Sequence, residues 1–352
     1  MIRSLFPFRA SRAGAALCAL AFCVGSLTSA AADQAPGASG YKLAATWKPG
    51  GEGRWDYMAL DSAAGRLYVA RENRIQVLDT TTGALVGEVP GLNGAHGVAL
   101  VPRLNRGVAT SGRDGKVIVF DLGTLKAAAD PITTGSKPDA ITYDSKTNRV
   151  FAMDGASHDI TVIDPAAAKV VGTIPLPGAP EFAVTDGAGG LFVNLEDKSE
   201  LVAIDTQAMK VEHVWPLAPG EGPTGLAIDV AGHHLFSGCA NQKLIVLDYT
   251  TGNVVSVLPI GAHVDAAGFD PGDGYAFSSN GDGTLTVAAA DATGQFKALA
   301  NVQTKVGART MALDTKTHAV YLCTADFGPP DETTHGRPKP LPGTFVVLKF
   351  TR

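Results

Sequence analysis

From residue 41 onward, short apolar runs alternate with polar turns, and the pattern repeats seven times. In the first copy the runs occupy residues 57–61, 67–69 and 75–79, with Gly, Asn or Asp residues in the intervening turns. The residues that close the first run of each copy are 40 to 44 positions apart: Asp61, Val101, Asp144, Asp186, Asp229, Asp270 and Asp314. Short runs rich in β-branched residues and bounded by turn residues predict β-strands.

A repeat of this length filled with short strands is typical of a propeller blade. The sequence therefore predicts an all-β fold, a seven-bladed β-propeller with four-stranded blades. The last blade ends at residues 345–350 without a following outer strand, whereas residues 41–47 alternate and precede the first complete blade. We expect this N-terminal strand to close the last blade and so remove the free sheet edges.

A carboxylate closes the third run of most copies. These residues are Asp79, Asp121, Asp164, Asp205 and Asp248. An aspartate at the start of a turn accepts hydrogen bonds from the backbone two residues further on, which a tight hairpin requires. We therefore interpret these acids as part of the scaffold and not as metal loops.

Residues 1–32 have the pattern of a secretory signal. Three arginines precede an apolar stretch at residues 13–27, and small residues end at Ala32. Cleavage near Ala32 would leave residues 33–352 as a single propeller domain of about 320 residues in the periplasm or outside the cell. The apolar stretch is short for a membrane span, and no later segment resembles one. We expect no integral membrane segment after cleavage.

Composition and motifs argue against several classes of partner and cofactor. The formal charge is -5 and no dense Lys/Arg stripe is present, which argues against nucleic acid as a partner. The sequence contains neither the Cys-x-x-Cys-His motif of covalent haem nor a Gly-rich phosphate loop. Cys239 and Cys323 fall in different blades, which predicts two isolated buried thiols in a chain that we expect to be a monomer.

Five positions before each residue that closes a first run, the chain carries a polar residue. We call this set the polar ring: Asp56, His96, Asp139, Glu181, Thr224, Asp265 and Arg309. Blade topology gathers these positions around one axis, and packing alone does not require charge there. The ring predicts a polar funnel for a small ligand, a metal or a protein segment. We expect ligand contacts from the charged members and from three further residues that the topology places on the same face: Trp55, Asn194 and Asn280.

The ring also contains potential metal ligands. Asp56, His96, His263 and Asp265 are of the types that hold a divalent cation. The alternative is a water-filled channel mouth in which the acids and Arg309 satisfy one another. The candidate catalytic residues are His96, Glu181 and Arg309. The other histidines, such as His318, lie in turns or exposed strand segments and are interpreted as surface residues.

A proline-rich loop, residues 326–342, interrupts the last blade between its second and third strands. Such a loop emerges on the face of the polar ring, so Phe327, His335 and Arg337 are candidates for a cover over the funnel. The same composition is typical of a mobile solvated loop.

Two pairs of segments carry a resemblance to a known family. Residues 160–164 followed by 170–175, and 244–248 followed by 254–259, resemble the YVTN repeats of YncE-like exported propellers. The resemblance covers residues 41–350. Other segments resemble a bacterial subgroup of these proteins: residues 55–57, 180–182, 194–199, 277–284 and 307–310. The resemblance implies an exported propeller and does not transfer an activity.

Two hypotheses about function follow. The first is a non-catalytic binding protein whose funnel holds a small ligand, metal or partner segment. The alternative is a metal-assisted hydrolase or lyase, with a lactone as one candidate substrate, in which the ring supplies ligands and a base and Arg309 holds an anionic group. The Glu-Asn-Asn-Asp set of gluconolactonases is not matched, which favours binding. A track for single-stranded DNA beside Trp55 and Tyr57 is disfavoured by the surrounding acids.

Overall fold

Seven antiparallel sheets of four strands follow one another along the chain and surround a common axis. The structure is a computed structural model that describes residues 39–329 and 338–352. The predicted seven-bladed β-propeller is confirmed. The secretory signal expected in residues 1–32 lies outside the described residues, as do His335 and Arg337 of the loop in blade 7.

Each blade runs from a strand at the axis to a strand at the outside. The innermost strands of blades 1 to 7 are Met58–Asp61 (β2), Ala95–Val101 (β6), Pro138–Asp144 (β10), Pro180–Thr185 (β14), Pro223–Asp229 (β18), Val264–Asp270 (β22) and Met311–Asp314 (β26). The second strands are Arg66–Arg71 (β3), Arg106–Ser111 (β7), Arg149–Asp154 (β11), Gly190–Leu195 (β15), His234–Cys239 (β19), Tyr275–Asn280 (β23) and Ala319–Thr324 (β27). The third strands are Arg74–Asp79 (β4), Lys116–Asp121 (β8), Asp159–Asp164 (β12), Glu200–Asp205 (β16), Lys243–Asp248 (β20), Thr284–Ala290 (β24) and Val346–Thr351 (β28). The outer strands are Leu85–Pro90 (β5), Ile132–Thr133 (β9), Lys169–Pro175 (β13), Lys210–Pro216 (β17), Asn253–Pro259 (β21), Phe296–Gln303 (β25) and, for blade 7, Lys42–Trp47 (β1).

Helical structure in the described part of the chain is limited to two 3-10 turns in blade 2, Pro102–Leu104 and Gly112–Asp114. Within residues 39–329 and 338–352 there is accordingly no helix with the length and apolar character needed to cross a membrane.

The N-terminal strand closes the ring. β1 pairs antiparallel with β28, from Lys42 opposite Thr351 to Trp47 opposite Val347. Tyr41, directly before β1, packs its ring edge-on against Phe277 of blade 6 at a centroid distance of 5.3 Å. The predicted closure is confirmed, and the strand that completes blade 7 also contacts its neighbour.

The closing joint resembles an internal joint in its packing. Trp47 of blade 7 lies on Gly83 of blade 1, where a Cβ would stand 2.1 Å from the indole. Trp215 of blade 4 lies on Gly252 of blade 5, where a Cβ would stand 2.3 Å from the indole. Both glycines have positive φ in the turn before an outer strand. The same tryptophan-on-glycine contact therefore joins blades at the closure and inside the chain.

Apolar residues of neighbouring blades form the core between the sheets. The second and third strands are mostly buried along their length, whereas the outer strands mix exposed and buried positions. At the hairpins the acids act as predicted: the Asp79 carboxylate accepts hydrogen bonds from the backbone N–H groups of Thr81 at 3.0 Å and Thr82 at 2.7 Å. Cys239 and Cys323 are free and buried, which confirms the expected isolated thiols.

Candidate functional site

The polar ring lies where the innermost strands depart from regular pairing. In blades 2 to 6 the register with the second strand shifts across the ring residue, for example between Ala95 and Val98 around His96. A β-bulge of this kind bends a strand and redirects a side chain. Two positions before the ring residue, five blades place a residue with positive φ: Gly94, Lys137, Gly222, His263 and Gly307. In blades 2, 3, 5 and 6 a turn and a bulge together therefore place the polar residue at the axis.

Polar residues of the second strands donate hydrogen bonds to backbone carbonyls of the polar ring. The Thr110 hydroxyl donates to the Asp139 carbonyl at 2.8 Å, and the Asn194 amide donates to the Thr224 carbonyl at 2.8 Å. The Ser279 hydroxyl donates to the Arg309 carbonyl. In each case a residue of one blade fixes the backbone of the ring residue in the next blade. These bonds make the ring a rigid part of the scaffold.

Three consecutive blades form a cluster that we call the axial cluster: Asp56, His96 and Asp139. His96 Nδ1 lies 2.5 Å from Asp56 Oδ2 and 3.4 Å from Asp139 Oδ1. Lys137 Nζ lies 3.3 Å from Asp139 Oδ2. One ligand atom from each of the three residues falls within 4.8 Å of the others. Imidazole nitrogen and carboxylate oxygens are ligand types that bind divalent cations in proteins.

Burial shifts the titration of the axial cluster. It raises the pKa of the Asp56 carboxyl above its ordinary value, although the hydrogen bond to His96 opposes this. For His96, burial lowers the pKa, but the hydrogen bond to Asp56 and the charge of Asp139 outweigh it and raise the pKa overall. The imidazole thus carries a proton more readily than a free histidine does.

In blade 7, which adjoins blade 1 in the closed ring, Arg309 Nε lies 3.1 Å from Asp265 Oδ2 of blade 6. The Asp265 side chain is 11% exposed, and that of Arg309 is 49% exposed. Burial raises the pKa of the Asp265 carboxyl to about 7, even though Arg309 favours its charged form. The charge of Asp265, and more weakly those of Asp56 and Glu181, raise the pKa of Arg309 against the effect of burial. Acids from blades 1, 4 and 6 therefore favour the charged form of the guanidinium.

Glu181 differs from the other acids of the ring. Among the described residues, no basic side chain lies within ion-pair distance of its carboxyl group. Burial, followed by the charges of Asp139, Glu196 and Asp265, raises the pKa of Glu181 to about 9. At neutral pH this side chain is a protonated carboxylic acid, which can donate a hydrogen bond or a proton.

An aromatic pair, which we call the aromatic floor, crosses the axis next to the ring: Tyr57 and Phe182. The two rings lie 4.6 Å apart between centroids and come from blades 1 and 4. The Tyr57 hydroxyl donates to the carbonyl of Asp265 in blade 6. Burial raises the pKa of Tyr57, and the carboxylates of Asp265 and Glu181 contribute further. The polar ring therefore surrounds an aromatic surface and not an open bore.

The structure brings the charged ring residues together but places other predicted contacts elsewhere. The Thr224 hydroxyl donates to the Val264 carbonyl at 3.1 Å. Asn194 and Asn280 are fully buried, and Asn280 donates to Thr284 and Thr286 inside its own blade. These contacts give both asparagines a structural role, and their contact with a ligand stays a prediction.

Trp55 and His263 flank the ring. Trp55 packs against Phe345 at 5.4 Å and against Phe327, from the described part of the loop in blade 7, at 6.0 Å. His263 is exposed and does not belong to the axial cluster, in which Asp139 stands instead of the predicted His263 and Asp265.

Sequence reasoning missed Lys137 and the aromatic floor. Lys137 occupies the same position relative to Asp139 as His263 does relative to Asp265, so its place in the repeat was an available signal. For Tyr57 and Phe182 no comparable signal exists, because each follows a ring residue in its own blade and they meet only across the axis.

Comparison with known proteins supports the fold. No protein-family model matches the sequence, and the search of curated proteins found no relative. Hydrazine synthase from Kuenenia stuttgartiensis is similar in structure, with a TM-score of 0.70 and 13% sequence identity over 86% of this chain and 96% of that chain. This similarity shows the propeller fold alone.

Proposed function

We propose that this chain is an exported binding protein of the YncE-like type, in which the axial cluster binds a divalent cation at the base of the polar funnel. The observation that carries the proposal is the meeting of His96 with Asp56 and Asp139 from three successive blades. The signal-like residues 1–32 and the YVTN-like repeats support export to the periplasm or beyond the cell.

The surroundings of the axial cluster suit a cation site with open positions. The three side chains come from one sector of the ring, with exposed fractions of 18% for Asp56, 25% for His96 and 11% for Asp139. Their remaining exposure allows water or a ligand to reach the same point. Three protein ligands with room for a further ligand are typical of sites that bind a second molecule through the metal.

A second candidate function, that of a metal-assisted hydrolase or lyase, is favoured by Glu181. Its carboxyl group keeps a proton to about pH 9, which suits a general acid. A bound cation would polarise a carbonyl group, and Glu181 lies in the same ring to supply the proton. A screen of lactones and esters with the metal-loaded protein tests this function, and the Glu181→Gln variant should lose any activity found.

The chain offers a matched control for the cation site. Asp270, Asp273 and His318 form a second group of one histidine and two aspartates, which we call the joint cluster because it lies between blades 6 and 7. We would titrate the purified protein, freed of metal, with Ca²⁺, Mg²⁺, Mn²⁺ and Zn²⁺ by calorimetry. The His96→Gln and His318→Gln variants would be compared with the wild type.

We expect one equivalent of cation to bind the wild type and the His318→Gln variant equally. The His96→Gln variant should bind more weakly by more than the ~10–100-fold typical of losing an outer-shell partner. Equal binding by all three proteins, or a loss confined to His318→Gln, would overturn the proposal. A thermal shift on addition of the same cation, absent in Asp139→Asn, is the second readout.

A further inference from the structure

Arg309 has an unused binding edge. Its Nε contacts Asp265 Oδ2 at 3.1 Å, and this is the one ion pair of the guanidinium among the described residues. A guanidinium has five N–H groups in a planar fork, which matches the two oxygens of a carboxylate. The contact through Nε leaves the two terminal nitrogens for another partner, and the side chain is 49% exposed.

The unused edge belongs to the funnel. Asp56, Tyr57 and Glu181, from blades 1 and 4, all act on the charge of Arg309, and Arg309 acts in turn on Asp56 of the axial cluster. Asp265 anchors the guanidinium from the neighbouring blade. The arginine is thus held in the blade next to Asp56 of the axial cluster.

The negative charges of the ring acids are offset, so they do not exclude an anion from the funnel. Asp265 is paired with Arg309, and Asp139 is paired with Lys137. Glu181 is protonated at neutral pH because burial and the neighbouring acids raise its pKa to about 9, so it presents a neutral donor. A cation in the axial cluster adds positive charge. The carboxylates of the ring are therefore compensated on the side that Arg309 faces.

We infer that the funnel binds a small carboxylate, held bidentately by the terminal nitrogens of Arg309 and reaching the cation of the axial cluster with a second oxygen donor. The aromatic floor of Tyr57 and Phe182 lies beside both groups and supplies a flat surface for the body of the ligand. The class is a carboxylate that carries a further carboxyl, hydroxyl or carbonyl oxygen.

This inference rests on the proposed cation for one end of the ligand and on Arg309 for the other. The probe is malonate, with its uncharged diamide as the control ligand. Malonate would be titrated calorimetrically into metal-free protein and into protein saturated with the cation that binds most tightly. We expect binding of malonate that strengthens by at least about tenfold with the cation, and no binding of the diamide.

Two variants separate the effect of the planar guanidinium of Arg309 from the effect of its positive charge. Arg309→Lys keeps a positive charge beside Asp265 but loses the planar fork, so malonate binding should weaken by about 10-fold or more while cation binding is unchanged. Arg309→Gln removes the charge as well. Arg113→Lys, on an exposed arginine that pairs with Glu72 at 3.1 Å, is the matched control and should bind malonate as the wild type does.

The outcomes distinguish the two proposals. Cation binding without any effect of malonate, or malonate binding that Arg309→Lys and Arg309→Gln retain, overturns the inference and leaves the cation site. Malonate binding that depends on Arg309 but not on a cation supports the arginine subsite and counts against the proposed cation. A melting temperature close to that of the wild type confirms that each variant is folded.

Discussion

The axial cluster and the joint cluster have the same composition but different surroundings. In each, one histidine Nδ1 faces two aspartates: 2.5 and 3.4 Å from Asp56 and Asp139 in the first. In the joint cluster, His318 Nδ1 lies 2.7 Å from Asp270 and 3.2 Å from Asp273. The comparison shows that a set of potential metal ligands is not a site by itself, because its meaning depends on what else contacts it.

The joint cluster is already tied into the scaffold. Arg352 contacts Asp273 at 2.6 Å, and the Tyr41 hydroxyl donates to the His318 carbonyl at 2.9 Å. The fully buried Asp270 also accepts from the backbone N–H of Gly272 at 2.9 Å. These contacts join the ends of blades 6 and 7 to the closing strand. Within residues 39–329 and 338–352, no arginine forms an ion pair with the axial cluster, which instead borders the funnel.

The largest expected effect comes from deleting residues 41–47. The deletion removes β1 and the hydrogen bond from Tyr41 to His318 of the joint cluster. It takes no residue from the axial cluster. Loss of the buried Tyr41 and Trp47 alone should cost about 5 kcal/mol of unfolding free energy, which approaches the total of a marginally stable domain. We expect no cooperative thermal transition above room temperature by circular dichroism. An unchanged melting temperature would show that the two clusters do not depend on ring closure.

A smaller loss is expected from Asp270→Ala. It removes the fully buried Asp270 carboxylate, which accepts hydrogen bonds from the Gly272 N–H and the His318 imidazole, and should cost about 3 kcal/mol of unfolding free energy. Asp139→Ala, measured without metal, should cost about 1 kcal/mol or less, because it removes one of several mutually repelling acids. Urea denaturation of both variants measures the difference. Equal losses would mean that the axial cluster is a structural tie like the joint cluster.

A gain in stability is expected from Glu181→Gln. The pKa of Glu181 is about 9 in the folded protein and about 4.5 in the unfolded chain, so between these values the unfolded chain releases a proton that the folded protein keeps. Stability therefore falls as the pH rises through this window. Glutamine removes this cost, and we expect a gain of at most about 3 kcal/mol at pH 7 and none at about pH 4.

Urea denaturation at several pH values tests the Glu181 prediction, with Glu212→Gln, at an exposed glutamate of an outer strand, as the control. A gain for Glu181→Gln that did not change with pH would contradict the assigned ionisation. A joint-cluster acid should not show such a gain, because its carboxylates are matched by His318 and Arg352.

The fold and the position of the polar ring could be predicted because both depend on periodicity. Spacing alone placed His96 and Asp139 five residues before the end of their strands, and the closing strand followed from the missing outer strand of blade 7. The role of the turn acids, such as Asp79, could be predicted from local chemistry, because they accept hydrogen bonds from the backbone of their own hairpins.

The partners within the clusters depend on distances that the repeat does not encode. His96 meets Asp139 of the next blade, whereas His263 does not belong to the axial cluster. His318 was interpreted as a surface residue, yet it meets Asp270, 48 positions earlier, where the turns of two blades come together. Such contacts arise from the packing of neighbouring blades, which no single repeat specifies.

The aromatic floor has a kinetic consequence. Because Tyr57 and Phe182 cross the axis beside the ring, a molecule bound in the funnel cannot pass through the propeller and must depart by the mouth through which it arrived. Residence time is then governed by the side chains at that mouth. Substitutions there should alter the dissociation rate more than the association rate, as is usual for related complexes.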